Sequence, residues 1–533
     1  MTAQHAGPAP LAGSFDTADA LLRAAGRAHG EREAYVQPDG TRLTFAEWDR
    51  RSDAVAGALA ERGVAAGDVV ALMLPSSIDY AVCYAALARL GAVSTGLNTR
   101  LGPREVSAVL DRAGPVLVIR DGAAGLPAVP AGVPELDRAE LAALARHPGL
   151  GEDRPAPGPA SPAVIIWTSG TTGTPKGAWF DSRNLAAAAL SAGVMSSPYD
   201  RRLVATPFAH AGYMAKLWDQ LVWGLTLVIS PVPWSAAAMA TIMREQRITV
   251  VGGVPTQWSK LLDEPGAHGL PDLRVGIAAT APASPDLIEA VAQRIGVPLV
   301  VRYAMTESPT ICGTEPGDPP EVQFRTVGRP QEGMEVAVTD DDGRPVAPGG
   351  TGRVRVRGSC VMRGYWNDPE RTAETLTDDG WLVSGDLGRF TPEGNLVLVG
   401  RSTDLYIRGG YNVHPLEVEN VLAEHPGVRR VAVVGSPAPV IGEIGVAFVV
   451  PADPSDPPAL DELRDWTRER LADYKRPDRL ELVEDLPVTA MLKVDRDALR
   501  AAAAPAGRPA GRLSPRGCSG SVRAGSRPAR PER

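Results

Sequence analysis

A chain of 533 residues is longer than one ordinary domain, and at ~150 residues per domain it holds about three or four structural units. Hydrophobic residues make up 44 % and charged residues 22 %, enough apolar material for a sizeable core, which excludes a wholly disordered or collagen-like chain. The formal charge of −8 argues against nucleic acid as the main partner.

The charge is uneven. Residues 501–533 hold seven Arg and one Glu, which leaves about −14 on the first 500. Lysine is scarce: Lys176, Lys216, Lys260, Lys475 and Lys493. The cysteines, Cys83, Cys312, Cys360 and Cys518, are far apart, so neither a zinc site nor a disulfide framework is expected. Met1 to Ala12 lacks the pattern of a signal peptide, and no apolar run reaches the ~18 residues of a membrane span. The expectation is a reduced, cytoplasmic protein.

In chain order, Thr44 with Glu47 spells a capping box that opens a helix. Val69–Leu74 is a continuous apolar run, as in a buried parallel strand. A helix over 78–90 and strands near 92–97 and 116–119 follow. Residues 122–161, rich in Ala, Pro and Gly, read as a variable surface segment. Val164–Trp167 is a strand, and further βα units run to about 310, with strands at 225–229, 248–251, 275–278 and 299–301. Alternation between turns over 325–400 predicts a small β-rich subdomain. Beyond it, helices at 415–424 and 459–472 and strands at 431–434, 446–450 and 480–483 form a compact α+β unit. The fold class is therefore α/β, with parallel-sheet subdomains, a β-rich subdomain and a small C-terminal domain. The expected boundaries are 1–402, 403–500 and a disordered basic tail over 501–533.

The most informative stretch is Trp167-Thr168-Ser169-Gly170-Thr171-Thr172-Gly173-Thr174-Pro175-Lys176-Gly177. Three glycines let backbone N–H groups converge, hydroxyls add donors and a lysine adds charge; after a strand this is a phosphate cradle. It is not a Walker loop, since Pro175 and Gly177 stand where Gly and Ser or Thr are needed.

With this loop the chain resembles the adenylate-forming enzymes, among them acyl-CoA synthetases, firefly-type luciferases and peptide-synthetase adenylation domains. The likeness runs from about Thr41 to Arg500, with the motifs in family order. It implies that Thr168, Ser169, Gly170, Thr171, Thr172, Gly173 and Lys176 bind the ATP phosphates. Arg302-Tyr303-Ala304-Met305-Thr306-Glu307 resembles Y-G-x-T-E: Tyr303 would pack on adenine, Thr306 meet the α-phosphate and Glu307 hold Mg²⁺. Gly380–Asp386 resembles G-W-x-x-T-G-D, so Asp386 would accept from both ribose hydroxyls. Gly364–Glu370 is a family marker read as structural. Arg401 would reach the nucleotide, and Asp404 would be the hinge about which the C-terminal domain turns. Gly409 and Gly410 match the glycines beside the pantetheine tunnel for CoA. Pro487–Lys493 resembles P-x-T-x-x-G-K, whose lysine, here Lys493, drives the first half-reaction; Leu492 replaces its glycine.

The reaction so implied joins a carboxylate to ATP as acyl-AMP, with release of pyrophosphate, and then passes the acyl group to CoA. His210 matches an aromatic gate before the acyl pocket, and a packing histidine is the other reading. Tyr213, Met214, Trp218, Val254, Trp258, Ala278 and Ala279 are candidate apolar pocket walls, which suits a fatty or aromatic acid. Arg302 and Lys260 match positions that are basic in malonate-activating relatives: they either hold a second carboxylate or are surface cations. An acyl-AMP ligase that loads a carrier protein and a non-catalytic nucleotide-binding protein are the alternatives to a CoA ligase.

Overall fold

The computed structural model describes residues 10–11, 15–122, 125–151, 157–168, 175–279, 283–489 and 493–504. Among them the strands form four sheets. The first has nine strands; its inner members Glu33–Val36, Thr226–Ile229, Arg201–Val204, Val250–Gly253, Val275–Ala279 and Leu299–Met305 run parallel. The second has seven, with Pro162–Thr168, Val93–Gly96, Val69–Met73, Leu117–Arg120 and Glu135–Asp137 parallel. Helices cover both faces, which is why Val69–Met73 is apolar throughout: Val70 and Leu72 enter one cluster, Ala71 and Met73 another.

Helix Phe45–Glu61 starts with the capping box its sequence spells: the Glu47 N–H donates to Thr44 Oγ1, and the Thr44 N–H donates to the Glu47 carboxylate. A helix at Ala18–His29, which the sequence reading passes over, packs beside it. The wholly buried Arg89 side chain joins the two, donating to Asp19, to Asp49 and to Ser52 Oγ.

The third sheet is antiparallel, Met334–Thr339, Gly352–Gly358, Leu382–Phe390 and Leu396–Arg401, the expected β-rich subdomain. The fourth belongs to the C-terminal unit, where the hairpin Val428–Ala438 with Gly442–Pro451 is flanked by Tyr406–Arg408 and Arg479–Leu482. Helices Pro415–Ala423 and Leu460–Arg468 pack there, the second shorter than expected.

Two expectations need correction. The segment over 122–161 is not only surface: strand Glu135–Asp137 and helix Leu141–Leu144 bury Leu136, Leu141 and Leu144 in the main core. The tail does not begin at 501. Helix Arg496–Ala503 buries Leu499 and Ala503 under the C-terminal sheet, and the Ala503 carbonyl accepts from Ser436 and Arg479. Ala-rich sequence reads as tail by composition, but these alanines fill a helix face against Val434 and Phe448. The rest of the expected tail, residues 505–533, lies outside the described residues.

Candidate active site

The described ends of the Thr/Gly/Lys loop are fixed by pairing: Thr168 and Lys176 face each other in an antiparallel ladder. Ser169, Gly170, Thr171, Thr172 and Gly173 lie outside the described residues. Lys176 places its ammonium 5.2 Å from the centre of the Tyr365 ring. The Tyr365 hydroxyl donates to Glu307 Oε1 at 2.8 Å, and burial, then the Glu307 charge, push that phenol up. Tyr365 thus ties the loop lysine to Glu307, a link hidden in a motif that reads as structural.

Leu299–Met305 carries Tyr303 to the edge of the β-rich subdomain. There Tyr303 Oη donates to Asp386 Oδ2 at 2.6 Å and Arg401 Nε donates to Asp386 Oδ1 at 3.0 Å. Asp386 and Arg401 are register partners on adjacent strands, so the sheet presets this pair. Both carboxylate oxygens already accept a bond, yet each keeps a lone pair for a further donor. Thr306 is half-buried in the turn that follows Met305.

His210 caps the short helix Ala211–Met214, at the end of a sheet where parallel α/β folds place ligands. Its Nε2 lies 3.0 Å from Asn98 Nδ2. The Asn98 amide is oriented by its oxygen, which accepts the Arg100 N–H at 3.0 Å, so the NH₂ faces the ring. Nε2 is then the acceptor and the proton sits on Nδ1. Burial, followed by the charge of Lys493, lowers the His210 pKa to about 4, so the ring is neutral at physiological pH. The sequence reading misses Asn98; its signal was an asparagine at the end of a buried strand, too common to single out.

Lys493 belongs to the C-terminal unit, where its carbonyl accepts the Thr489 N–H and Val488 bridges Val494. Surrounding protein, then the Arg401 charge, push its ammonium down, against the pull of Asp386. Lys493 thus lies within electrostatic reach of Arg401 and Asp386, and His210 within reach of Lys493. Leu492 lies outside the described residues. Asp404 accepts from Arg500 at 2.9 Å and has Arg496 at 3.8 Å, both on the last helix.

Gly409 and Gly410 form the two-residue turn between Tyr406–Arg408 and Tyr411–Val413, with φ of +58° and +87°. Both are exposed, and a Cβ on either would meet nothing within 4 Å. The turn alone requires glycine-like backbone.

The proposed acyl walls fare differently. Tyr213 stacks on Phe208 at 3.6 Å and hydrogen-bonds Tyr35; Met214 and Trp218 join it in the main core. Trp258 donates to the Ile277 carbonyl, and with Ala278 it lies in a second sealed core. Val254 caps the helix that carries Trp258 and is buried. These side chains are apolar because they fill cores. Ala279 is half-buried, Gly212 is exposed, and a Cβ on Gly252 would meet nothing within 4 Å. Lys260 is a surface cation, 3.7 Å from Asp485. Arg302 is buried and donates to Glu315 at 3.0 Å and to the Thr314 carbonyl, so its charge is already matched.

Among the described residues no group of three His, Cys, Asp or Glu side chains is placed to hold a metal, and no helix is long and apolar enough to cross a membrane.

Comparison with known proteins shows the family of the chain. The family model described as AMP-binding enzyme matches residues 22–366, and the model of the AMP-binding enzyme C-terminal domain matches 417–493. A feruloyl-CoA synthase of Amycolatopsis is 35 % identical over 475 residues, 86 % of this chain and 94 % of that protein. A long-chain-fatty-acid–CoA ligase, FadD13, of Mycobacterium tuberculosis is 32 % identical over 498 residues, 90 % of this chain and 97 % of that one. Among solved structures, ATP-bound MatB from Rhodopseudomonas palustris superposes with a TM-score of 0.81 at 28 % identity, covering 91 % of this chain and 99 % of that one.

Proposed function

The chain belongs to the family of AMP-binding enzymes, and from that premise we propose how its residues make it an AMP-forming acid–thiol ligase. It activates a carboxylic acid with ATP, releasing pyrophosphate, and transfers the acyl group to CoA. The curated relatives are named as CoA ligases, which supports CoA over a carrier-protein thiol.

The observation that supports the site assignment is Asp386 held by both Tyr303 and Arg401, with Lys493 within electrostatic reach of that pair and of His210. Carboxylate and α-phosphate are both anions, so the barrier to their union is electrostatic and is lowered by fixed positive charge. Lys493 supplies a compact cation on a flexible stem. Asp386 and Tyr303 receive the nucleoside; the spare carboxylate lone pairs suit ribose hydroxyls. Neutral His210 leaves the cleft without a further cation and points a proton-bearing Nδ1 away from Asn98. Glu307, a single acid held by Tyr365, suits Mg²⁺, which takes one or two carboxylates together with substrate phosphates; when bound, the ion would offset charge on the triphosphate.

The thiol step requires Lys493 to leave and Gly410 to approach. The small unit has apolar clusters of its own, and the ion pairs that join it to the large one, Arg429–Asp263, Arg325–Glu424 and Lys260–Asp485, are exposed. Exposed pairs contribute about 0–1 kcal/mol each, which suits rotation about Asp404. The test is pyrophosphate exchange over a panel of carboxylic acids, followed by thioester formation with CoA. Nucleotide binding without exchange for any acid would refute it.

A further inference from the structure

Lys176 and Glu307 meet through one tyrosine. Strand Gly364–Tyr365 pairs antiparallel with strand Lys176–Asp181, and Tyr365 stands opposite Ala178. Side chains two apart on a strand share a face, so Lys176 is the diagonal neighbour of Tyr365. Its ammonium lies over the Tyr365 ring, 5.2 Å from the centre. The Tyr365 hydroxyl donates to Glu307 Oε1 at 2.8 Å. The backbone around Tyr365 holds both neighbours as well. The Met362 N–H donates to the Glu307 carbonyl at 2.8 Å, and the Trp366 N–H to the Gly177 carbonyl at 2.7 Å. Tyr365 is buried, and Arg363 anchors the segment on buried Asp181 at 2.9 Å, so the ring has little freedom.

Opposite charges this near would ordinarily pair. Among the described residues Lys176 forms no ion pair with Glu307; its partner is the ring face, and the partner of the carboxylate is the phenol. Neither contact neutralises a charge. A ring face attracts a cation through its quadrupole and leaves its charge whole. A carboxylate that accepts from a neutral phenol remains an anion with lone pairs free. A direct ion pair would instead turn each group toward the other and away from a ligand.

Building on the acid-activating reading above, in which Lys176 meets the ATP phosphates and Glu307 suits Mg²⁺, we propose that Tyr365 is a positioning residue for Mg·ATP. Its ring and hydroxyl hold Lys176 and Glu307 apart, so that one stays available to the triphosphate and the other to the ion that accompanies it. The experiment titrates ATP into the full-length protein by calorimetry, once with Mg²⁺ and once with EDTA, and AMP in parallel, with no acid present. AMP lacks the β- and γ-phosphates and so reports the nucleoside side alone. The wild type is expected to bind ATP more tightly with Mg²⁺ than with EDTA. Tyr365→Phe keeps the ring and removes the hydroxyl; it should lose about tenfold of that Mg²⁺ gain, the scale of a lost partner behind a metal ligand, with AMP affinity and ATP affinity in EDTA unchanged. Tyr365→Leu removes the ring too, lets Lys176 turn onto Glu307, and should weaken ATP in EDTA as well. In pyrophosphate exchange both variants should raise KM for Mg·ATP and the Mg²⁺ concentration for half-maximal rate, and leave KM for the acid as it is. Thermal melts report folding, and Tyr365→Phe, which gives up one oxygen, decides alone if Tyr365→Leu does not fold. No Mg²⁺ gain in the wild type, an undiminished gain in Tyr365→Phe, or AMP weakened as much as ATP overturns the role of Tyr365 and leaves acid activation standing. Exchange with no acid overturns acid activation, and the binding titrations still judge Tyr365.

Discussion

Asp386 and Lys493 approach one cleft from units that are built differently. Around Asp386, two paired strands, a buried tyrosine and an arginine fix the carboxylate before any ligand arrives. Around Lys493 the described residues show one backbone bond and an isolated bridge, on a unit that meets the rest through exposed ion pairs and the packing of helix Pro415–Ala423 on strand Leu396–Arg401. The difference teaches a division of labour. The large unit holds geometry by burial, and under the proposed two-step reaction the small unit delivers charge and later withdraws it.

Removing the delivered charge should have the largest effect. Lys493→Ala is expected to slow acyl-adenylate formation by about 10²–10³, while a supplied acyl-adenylate is still converted to thioester. Equal losses in both half-reactions, with the fold intact, would end the comparison. Gly410→Leu should do the reverse, keeping pyrophosphate exchange and lowering CoA turnover by at least about tenfold. Gly410→Asn tolerates left-handed backbone and so separates the needs of the turn from those of the thiol path.

Truncation sharpens the view of the small unit. Ending the chain after Arg500 removes buried Ala503 and the carbonyl that Ser436 and Arg479 bond. Loss of about 2–4 kcal/mol is expected, read as a lower melting transition of that unit. Ending it after Ala504 should leave melting and activity unchanged.

The pH response reports on the large unit. His210 has a folded pKa of about 4, below its ordinary value of 6.5. Between those values the unfolded chain binds more protons, so stability is present above pH 6.5 and is lost as pH falls toward 4. At pH 5 the loss is about 2 kcal/mol, and His210→Phe should remove that part of the acid sensitivity in thermal melts. Asn98→Ala should leave the ring without its Nε2 donor and raise its pKa, which shifts the acid limb of the rate profile upward. The smallest effect is expected from Arg429→Ala, which breaks an exposed pair with Asp263; stability should change by less than about 1 kcal/mol.

The parallel strands were legible because burial on both faces makes them continuous apolar runs, as at Val69–Met73. The Thr/Gly/Lys loop was readable because a phosphate cradle needs glycines, hydroxyls and a lysine at short spacing, whereas Tyr303, Asp386 and Lys493 were read only through the resemblance to the family. The acyl pocket was not. Tyr213 and Trp258 look the same in sequence whether they line a cavity or fill a core, and only packing on Phe208 and under Ile277 tells which. Asn98 and Tyr365 act through partners more than 50 residues away, and no local pattern records that.

Among the described residues, no apolar cluster includes side chains from both sides of Ser402. The join is thus a seam between two water-compatible surfaces rather than a cut through a hydrophobic interior. A recombinant that takes its C-terminal portion from a different parent, crossing over near Ser402, would keep each apolar cluster whole; the packing of helix Pro415–Ala423 on strand Leu396–Arg401 and the charges that meet across the seam would need to match. With acid recognition in the large portion and the thiol path in the small one, as proposed above, such exchange would let the two diversify independently.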